Sequence, residues 1–267
     1  MKVRFGFYKD GKRRALTMSY DDGRLADLRL LNIFNLHGIR GTFHLNSGKF
    51  EKPSYIDATD VRDKYHGHEV SVHTLTHPFF DRISGEELMH EVMADRENLE
   101  ALCGYPVRGM SYPYGCYTQK SIELLEMMGM KYSRTTVSTH DLLLPECFME
   151  WHPTCHHNDD RLFEILERFK AYKHPMPLLY VWGHSYEFDR DDNWDRIERF
   201  CTEAEGLEDV WYATNVEIYD YLTALRSLAF SADRTLVYNP SATDVWISVD
   251  NMPVRIASGA TVDLKTM

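Results

Sequence analysis

Short apolar runs alternate with longer stretches of helical period along most of the chain. Residues 15–20 read as a buried strand, and residues 25–37, carrying Leu28, Leu31, Ile33, Phe34 and Leu36, as a helix that Gly38 stops. Residues 41–45 and 69–72 are the next strands, separated by a loop-rich segment around residues 53–64. Ser84-Gly85-Glu86-Glu87 has the form of a capping box and opens a helix whose stripe of Leu88, Val92, Leu99 and Leu102 ends before Gly104. Strands at 109–111 and 131–135 flank a helix at 118–128 that Gly129 closes. A helix at 160–173, a strong strand at 178–182, a helix at 192–204, a strand at 210–213 and a helix at 215–229, opened by the capping-box pattern Thr214 to Glu217, complete the series. About seven βα units predict an α/β fold whose parallel sheet closes as a barrel.

After residue 228 the texture changes to short β-like runs at 235–238, 245–249, 254–257 and 261–264, broken by Asn239-Pro240, Asp250-Asn251 and Ser258-Gly259. The expected organisation is a barrel over residues 1–228 with a small C-terminal β appendage over 229–267. No internal repeat or low-complexity tract interrupts it.

Composition narrows the function classes. The 267 residues are 43% hydrophobic and 27% charged, which suits an ordered globular chain with a substantial core. A net charge of −11, with no basic cluster beyond Lys12-Arg13-Arg14, disfavours a nucleic-acid partner. No apolar leader opens the chain and no stretch approaches a membrane span, so a cytoplasmic protein without membrane contact is expected. Five cysteines without Cys-x-x-Cys spacing read as reduced thiols.

Candidate chemistry gathers at the ends of the predicted strands, where a barrel places its active site. Asp21-Asp22-Gly23 ends the first; alone it is equally a turn or a helix cap, but adjacent carboxylates often signal a metal. His73-Thr74-Leu75-Thr76-His77 follows the third, and on a helical turn its two imidazoles would share a face suited to one cation. With a carboxylate they make a His-His-carboxylate set with open positions. Ser111-Tyr112-Pro113-Tyr114-Gly115 and Trp182-Gly183-His184-Ser185 follow two further strands. The cluster His152-Pro153-Thr154-Cys155-His156-His157 reads as a substrate-contacting loop rather than a second metal site, because no carboxylate or Cys-x-x-Cys spacing completes it.

In order and placement these segments resemble the motifs of NodB-type polysaccharide deacetylases, carbohydrate esterase family 4, over roughly residues 16–225. Ser19-Tyr20-Asp21-Asp22 matches the first motif and His73-Thr74-Leu75-Thr76-His77 the second. The resemblance implies a distorted (β/α)7 barrel, Asp21 as general base, Asp22, His73 and His77 as ligands of one divalent metal, and His184 as general acid. It further implies an oxyanion contact at the Tyr114 backbone and a hydrophobic wall at Trp151. Tyr112 and His156 join them as candidate substrate contacts. Zinc is the first choice of metal, with cobalt, nickel or manganese as alternatives. One position departs from the family: the third motif usually carries an Arg that orients the catalytic Asp, and here Ser111 stands in its place. Arg134, at the next strand end, is the candidate to supply that guanidinium, ahead of Arg108, which precedes its strand.

The implied function is metal-dependent removal of acetyl groups from an N-acetylated amino sugar or oligosaccharide, with O-acetyl glycans possible substrates of the same machinery. The alternatives are a cyclic amide or ureide hydrolase of the same superfamily, and a non-catalytic glycan-binding pseudoenzyme motivated by Ser111. A homo-oligomer is left open.

Overall fold

The structure is a computed structural model that describes residues 1–266. After an edge strand β1 (Val3–Phe5), the chain enters β2 (Arg14–Asp21), in which every residue from Ala15 onward is buried. Its alternation has a purpose on each face. Leu16, Met18 and Tyr20 join the apolar cluster beneath the helices, whereas Thr17 and Ser19 make buried polar contacts with Asn215 and His44. Asp21 continues the phase of Thr17 and Ser19, so its carboxyl points into the barrel.

The βα alternation continues through α1 (Asp27–Leu36), β3 (Gly41–Leu45), the short α2 (Val61–Lys64), β4 (Glu69–Val72), α3 (Gly85–Cys103), β5 (Gly109–Ser111), α4 (Gln119–Met127) and β6 (Tyr132–Arg134). The second half comprises β7 (Cys155–His156), α5 (Leu162–Ala171), β8 (Leu178–Gly183), α6 (Tyr186–Arg190), α7 (Trp194–Ala204), β9 (Val210–Tyr212) and α8 (Asn215–Arg226). The capping boxes expected at Ser84 and Thr214 both form, and Thr118 makes a third with Ser121.

The strands lie in the order β6-β5-β4-β3-β2-β8-β7, all parallel. A parallel bridge between Arg134 and Trp151 joins β6 to the segment leading into β7, which closes the sheet on itself. The distorted (β/α) barrel expected from the sequence is therefore present, with one exchange of members. The strand at 210–213 pairs only with Arg14–Leu16 of β2, below the point where β3 takes over at Met18. The residues around His156, read as a loop, supply the closing barrel strand instead.

The lower half of the barrel is filled by a polar network. Glu69 accepts hydrogen bonds from Thr42 Oγ1 (3.0 Å), the Tyr132 hydroxyl (2.6 Å) and the Val216 N–H (2.9 Å), while the Asn215 N–H donates to Thr42 (2.9 Å). The first turn of α8 thus plugs the N-terminal end, and burial pushes the Glu69 carboxyl up to about 7. With that end sealed, chemistry is confined to the other, where Asp21, Ser111 and Arg134 end their strands.

The C-terminal strands β10 (Ala229–Phe230), β11 (Leu236–Tyr238), β12 (Val245–Val249), β13 (Met252–Ile256) and β14 (Thr261–Asp263) form two antiparallel sheets, β10-β11-β14 and β1-β12-β13. One of them recruits the N-terminal strand. Val237, Val245, Ile247 and Ile256 pack with Tyr221, Leu222 and Leu225 of α8 in one buried cluster. Among the described residues no helix is long and apolar enough to cross a membrane.

Candidate active site

The C-terminal ends of β2, β4, β5, β6 and β8 converge on a cleft of about 400 Å³ whose lining includes Asp21, Asp22, His73, His77, Tyr114 and His184. Two larger hollows, of about 500 and 620 Å³, lie where the appendage strands meet the barrel and contain no comparable donor set.

Asp21 is gripped from two sides. Ser111 Oγ donates to its Oδ1 at 3.0 Å, and the Arg134 guanidinium donates to its Oδ2. Arg134 is itself wholly buried, donates to the Thr135 carbonyl at 3.0 Å and lies 4.3 Å from the centre of the Trp182 ring. Burial by itself would raise the Asp21 carboxyl, but Arg134 and the surrounding imidazoles hold it well below the usual carboxylate range. The guanidinium expected at Ser111 thus comes from Arg134. Arg108 is engaged elsewhere, in a bidentate pair with Asp220 at 2.7 and 2.8 Å.

The histidine pair reaches one place without a helix. His73 and His77 lie in a loop after β4, turned by left-handed backbone at Thr74 (φ 67°) and His77 (φ 67°). The Asn46 side-chain amide donates to the carbonyls of His73 and Thr74 at 2.5 and 2.8 Å, and Asp95 on α3 accepts from the His73 and Ser47 N–H groups at 3.1 and 2.7 Å. Asp22 (φ 82°) and Tyr114 (φ 57°) are also left-handed, so four non-glycine residues carry an unfavourable backbone around one cleft. Such strain persists where the surrounding structure over-determines it, and it concentrates at functional sites.

Ser111 also fixes the His73 tautomer. His73 Nδ1 lies 3.0 Å from the Ser111 carbonyl oxygen, which can only accept, so Nδ1 carries the proton and the Nε2 lone pair is free. That Nε2 is 3.8 Å from Asp22 Oδ1, and His77 Nε2 is 3.6 Å from the same oxygen. Asp22 Oδ1 is buried and has no hydrogen-bond partner among the described residues. Three donor atoms, one of them an orphaned carboxylate oxygen, therefore face a common point within 4.8 Å of one another. Their separations are slightly wider than the ~3.4 Å edge of a tetrahedron with bonds of about 2.1 Å. Burial also holds both imidazoles below the ordinary histidine value, in the neutral form that ligates. The expected set of Asp22, His73 and His77 fits a divalent metal.

His184 stands across the cleft. Its Nδ1 lies 3.3 Å from Glu187 Oε2, one turn ahead at the start of α6. Burial would lower the imidazole, but Glu187, with Asp21 and Asp22, outweighs that and lifts it above the ordinary histidine value. It is thus suited to carry a proton near neutrality.

Other candidates fare differently. Tyr114 is 56% exposed at the rim, its ring stacked 3.7 Å from that of Phe79, and Tyr112 forms the floor with its hydroxyl donating to the Met149 carbonyl at 2.8 Å. Trp151 is 1% exposed and packs against Tyr132 and Tyr180, so it offers no face to a sugar. His156 does not line the cleft; it sits edge-on to Trp182 and reaches Glu187 at 3.0 Å. A carboxylate does complete the histidine cluster around it, contrary to expectation, because α6 delivers Glu187 across space. Lys49 and Thr136 line the cleft without any motif to mark them, whereas the three-residue spacing of His184 and Glu187 was visible in the sequence.

The chain is similar to known polysaccharide deacetylases. Residues 8–133 match the family profile described as polysaccharide deacetylase. The peptidoglycan-N-acetylglucosamine deacetylase PgdA of Listeria monocytogenes is 26% identical over 136 residues; the match covers 50% of this chain and 27% of that enzyme's own length. A Mycobacterium smegmatis structure described as a polysaccharide deacetylase superposes with a TM-score of 0.62 at 16% identity, over 84% of this chain and 96% of the other. A family 4 pseudoenzyme from Bacillus anthracis gives 0.50 at 19% identity, over 80% and 68%. At such identities the structural likeness speaks for the fold alone, so activity has to be argued from the site.

Proposed function

We propose that this chain, whose residues 8–133 match the polysaccharide deacetylase family, is a metal-dependent hydrolase removing acetyl groups from an N-acetylated amino sugar or its oligomer. The observation that carries this reading is the convergence of the orphaned Asp22 Oδ1 with the Nε2 atoms of His73 and His77, beside an Asp21 carboxylate held ionised by Arg134.

Asp22, His73 and His77 would hold the metal. When bound, such an ion acidifies water toward a pKa of about 7 and polarises an acyl oxygen. The chain's own residues divide the proton work. Asp21, restrained by Ser111 and Arg134, accepts the proton of the attacking water. The backbone N–H of Tyr114 is the oxyanion donor. His184, kept protonated by Glu187, delivers a proton to the departing amine nitrogen, which an amide needs because an unprotonated amide ion is a very poor leaving group.

The name of the Listeria relative supports N-acetylglucosamine units as substrate, and the exposed Tyr114 at the rim offers an apolar face on which a sugar ring can stack. The binding-only alternative loses its motive, since Arg134 supplies the cation missing at Ser111. The test is acetate release from N-acetylglucosamine oligomers and from acetylated xylan by metal-reconstituted protein, beside Asp21→Asn and His73→Ala. Metal-dependent acetate from the amino-sugar oligomers, lost in both variants, is expected. Release from xylan alone would reassign the substrate to O-acetyl glycans, and no release from folded, metallated protein would sink the deacetylase reading.

A further inference from the structure

Two cations without carboxylate partners stand at the rim of the cleft. Lys49 ends the turn Ser47–Lys49 that follows β3. The Gly48 N–H donates to the Leu75 carbonyl at 3.1 Å, and a Cβ at Gly48 would lie 2.5 Å from that oxygen, so only glycine lets this turn press against the loop that carries His73 and His77. Lys49 is thereby set into the cleft wall with Asp22 and His77. Arg24 follows Asp21-Asp22-Gly23 and bridges to Tyr55. Its guanidinium lies 4.4 Å from the centre of the Tyr55 ring and 5.0 Å from that of Tyr186, while Lys49 Nζ lies 5.7 Å from the same Tyr55 ring. Tyr186 lines the cleft, its ring 5.4 Å from that of His184.

In a chain with 41 acidic residues against 30 Lys and Arg, a half-buried cation readily finds a carboxylate, as Arg40, Arg96 and Arg108 do with Glu217, Glu100 and Asp220. Lys49 and Arg24 are half-buried too. Yet among the described residues neither makes an ion pair, and Arg24 Nε is buried without a hydrogen-bond partner. The face of Tyr55 offsets part of their charge, but two like charges gathered on one ring still repel. An anion lying against both would remove that repulsion and accept their free N–H donors. We propose that Arg24 and Lys49 form a carboxylate subsite, so that the glycan whose acetamide enters the cleft carries a carboxylate on the same sugar unit or on its neighbour. The planar guanidinium presents paired donors that match the two oxygens of a carboxylate, and the ammonium adds a compact charge. The choice of a glycan rests on the deacetylase reading, whereas the pair of cations does not. On a glycan the carboxylate belongs to a uronic acid or to a lactyl ether, and both present the same group to these side chains.

The experiment is calorimetry on zinc-loaded, full-length Asp21→Asn protein, from which the proposed base has been removed so that ligand is held without turnover. Two oligosaccharides are titrated, one alternating N-acetylglucosamine with glucuronate and one alternating it with N-acetylmuramate, each as the free acid and as its methyl ester. The ester keeps the shape and removes the charge. At least one acid is expected to bind about 10-fold more tightly than its ester at low salt, with the preference shrinking as salt is added. The backbone that shows the preference assigns the carboxylate to a uronate or to a lactyl ether. Lys49→Gln and Arg24→Gln, each added to this protein, should cut the preference severalfold, and together they should bring acid and ester to near parity, with circular dichroism showing that the variants are folded. Equal affinity for acid and ester on both backbones, no binding of any of the four, or a preference unchanged in the folded double variant would overturn the subsite. Acetate release from the neutral N-acetylglucosamine oligomer by metal-reconstituted wild type tests the deacetylase reading separately: no acetate beside an intact acid preference would sink that reading and leave the carboxylate subsite standing.

Discussion

Replacing Arg134 with methionine isolates the least expected part of the site. The substitution keeps much of the volume but removes the guanidinium that pairs with Asp21, and both side chains are almost completely buried, at 0% and 3% exposure. Removing one partner of a buried pair costs roughly 3–5 kcal/mol, because the other charge is left uncompensated. Ser111 still donates to Asp21 Oδ1, which argues for the lower end of that range. At about 2–4 °C per kcal/mol for a chain of this size, the melting temperature should fall on the order of 10 °C. The kinetic effect follows from the same electrostatics. In the wild type Arg134 outweighs burial and depresses the Asp21 carboxyl. The stability from the pair is therefore present above the unfolded value of about 4 and is lost only as pH falls through the lower folded value. Without Arg134, burial prevails, the carboxyl rises, and the base is protonated at a pH where it was ionised before. The acidic limb of kcat/KM should move to higher pH, and activity on an N-acetylglucosamine oligomer at saturating metal should drop about 10²-fold or more at neutral pH. Arg134→Lys restores charge without the planar fork and should recover part of the loss. If Arg134→Met retained kcat/KM within a few-fold of wild type and its acidic limb did not move, Arg134 would have no part in setting Asp21.

Three further outcomes are expected. Ser111→Ala removes a hydroxyl that bonds both Asp21 and His73, and metal affinity measured by competition with a chromogenic chelator should weaken about 10–100-fold, as for other groups that orient a ligand; unchanged affinity would show the Ser111 carbonyl alone to suffice. Glu187→Gln removes the main support of the raised His184; since the acid works only when protonated, the alkaline limb of kcat should move to lower pH, and an unmoved limb would exclude His184 as the group titrating there. Ser84→Ala deletes the hydroxyl that caps α3, so urea unfolding should lose about 1 kcal/mol with kcat unaffected, because the helix start lies away from the cleft; a loss of activity would contradict that separation.

The strands that carry the site were readable as short runs of apolar and small polar residues between longer stretches of helical period, and because barrel geometry puts residues at strand ends on a common rim. Asp21, Ser111 and Arg134 do end their strands and His73 directly follows its own, although Ser111 and Arg134 were singled out through the family resemblance rather than by strand ends alone. Pattern reading failed where a strand owes its existence to its neighbours. Cys155–His156 is only two residues long and is preceded by His152 and Pro153, so no periodicity marks it; the pairing to β8 and the Trp151–Arg134 bridge make it a strand. The same segment misled the reading of Trp151. The resemblance implies a hydrophobic wall of the cleft there, but the bridge turns the ring inward, into the space between Tyr132 and Tyr180. Glu187 escaped notice as a partner of His156 and His157 for a related reason: sequence spacing reports neighbours along a helix, and this contact crosses from α6 to β7.

The exchange at Ser111 shows what the barrel holds fixed. Ser111 and Arg134 are register partners on adjacent parallel strands, so moving a guanidinium from one position to the other shifts it by one strand spacing, about 4.8 Å. An extended Arg side chain readily makes up that distance, and Arg134 does so while lying over Trp182. The small residue then left at 111 gains two contacts, a hydroxyl on Asp21 and the same hydroxyl on His73 Nδ1 at 2.7 Å. The position that would have carried the charge thus links the proposed base to one of the proposed metal ligands. Base and metal are then coupled through a single neutral side chain, so substitutions at Ser111 and Arg134 should be non-additive. A Ser111→Ala, Arg134→Met double variant that lost only the sum of the two single effects would mean that the two residues hold Asp21 independently.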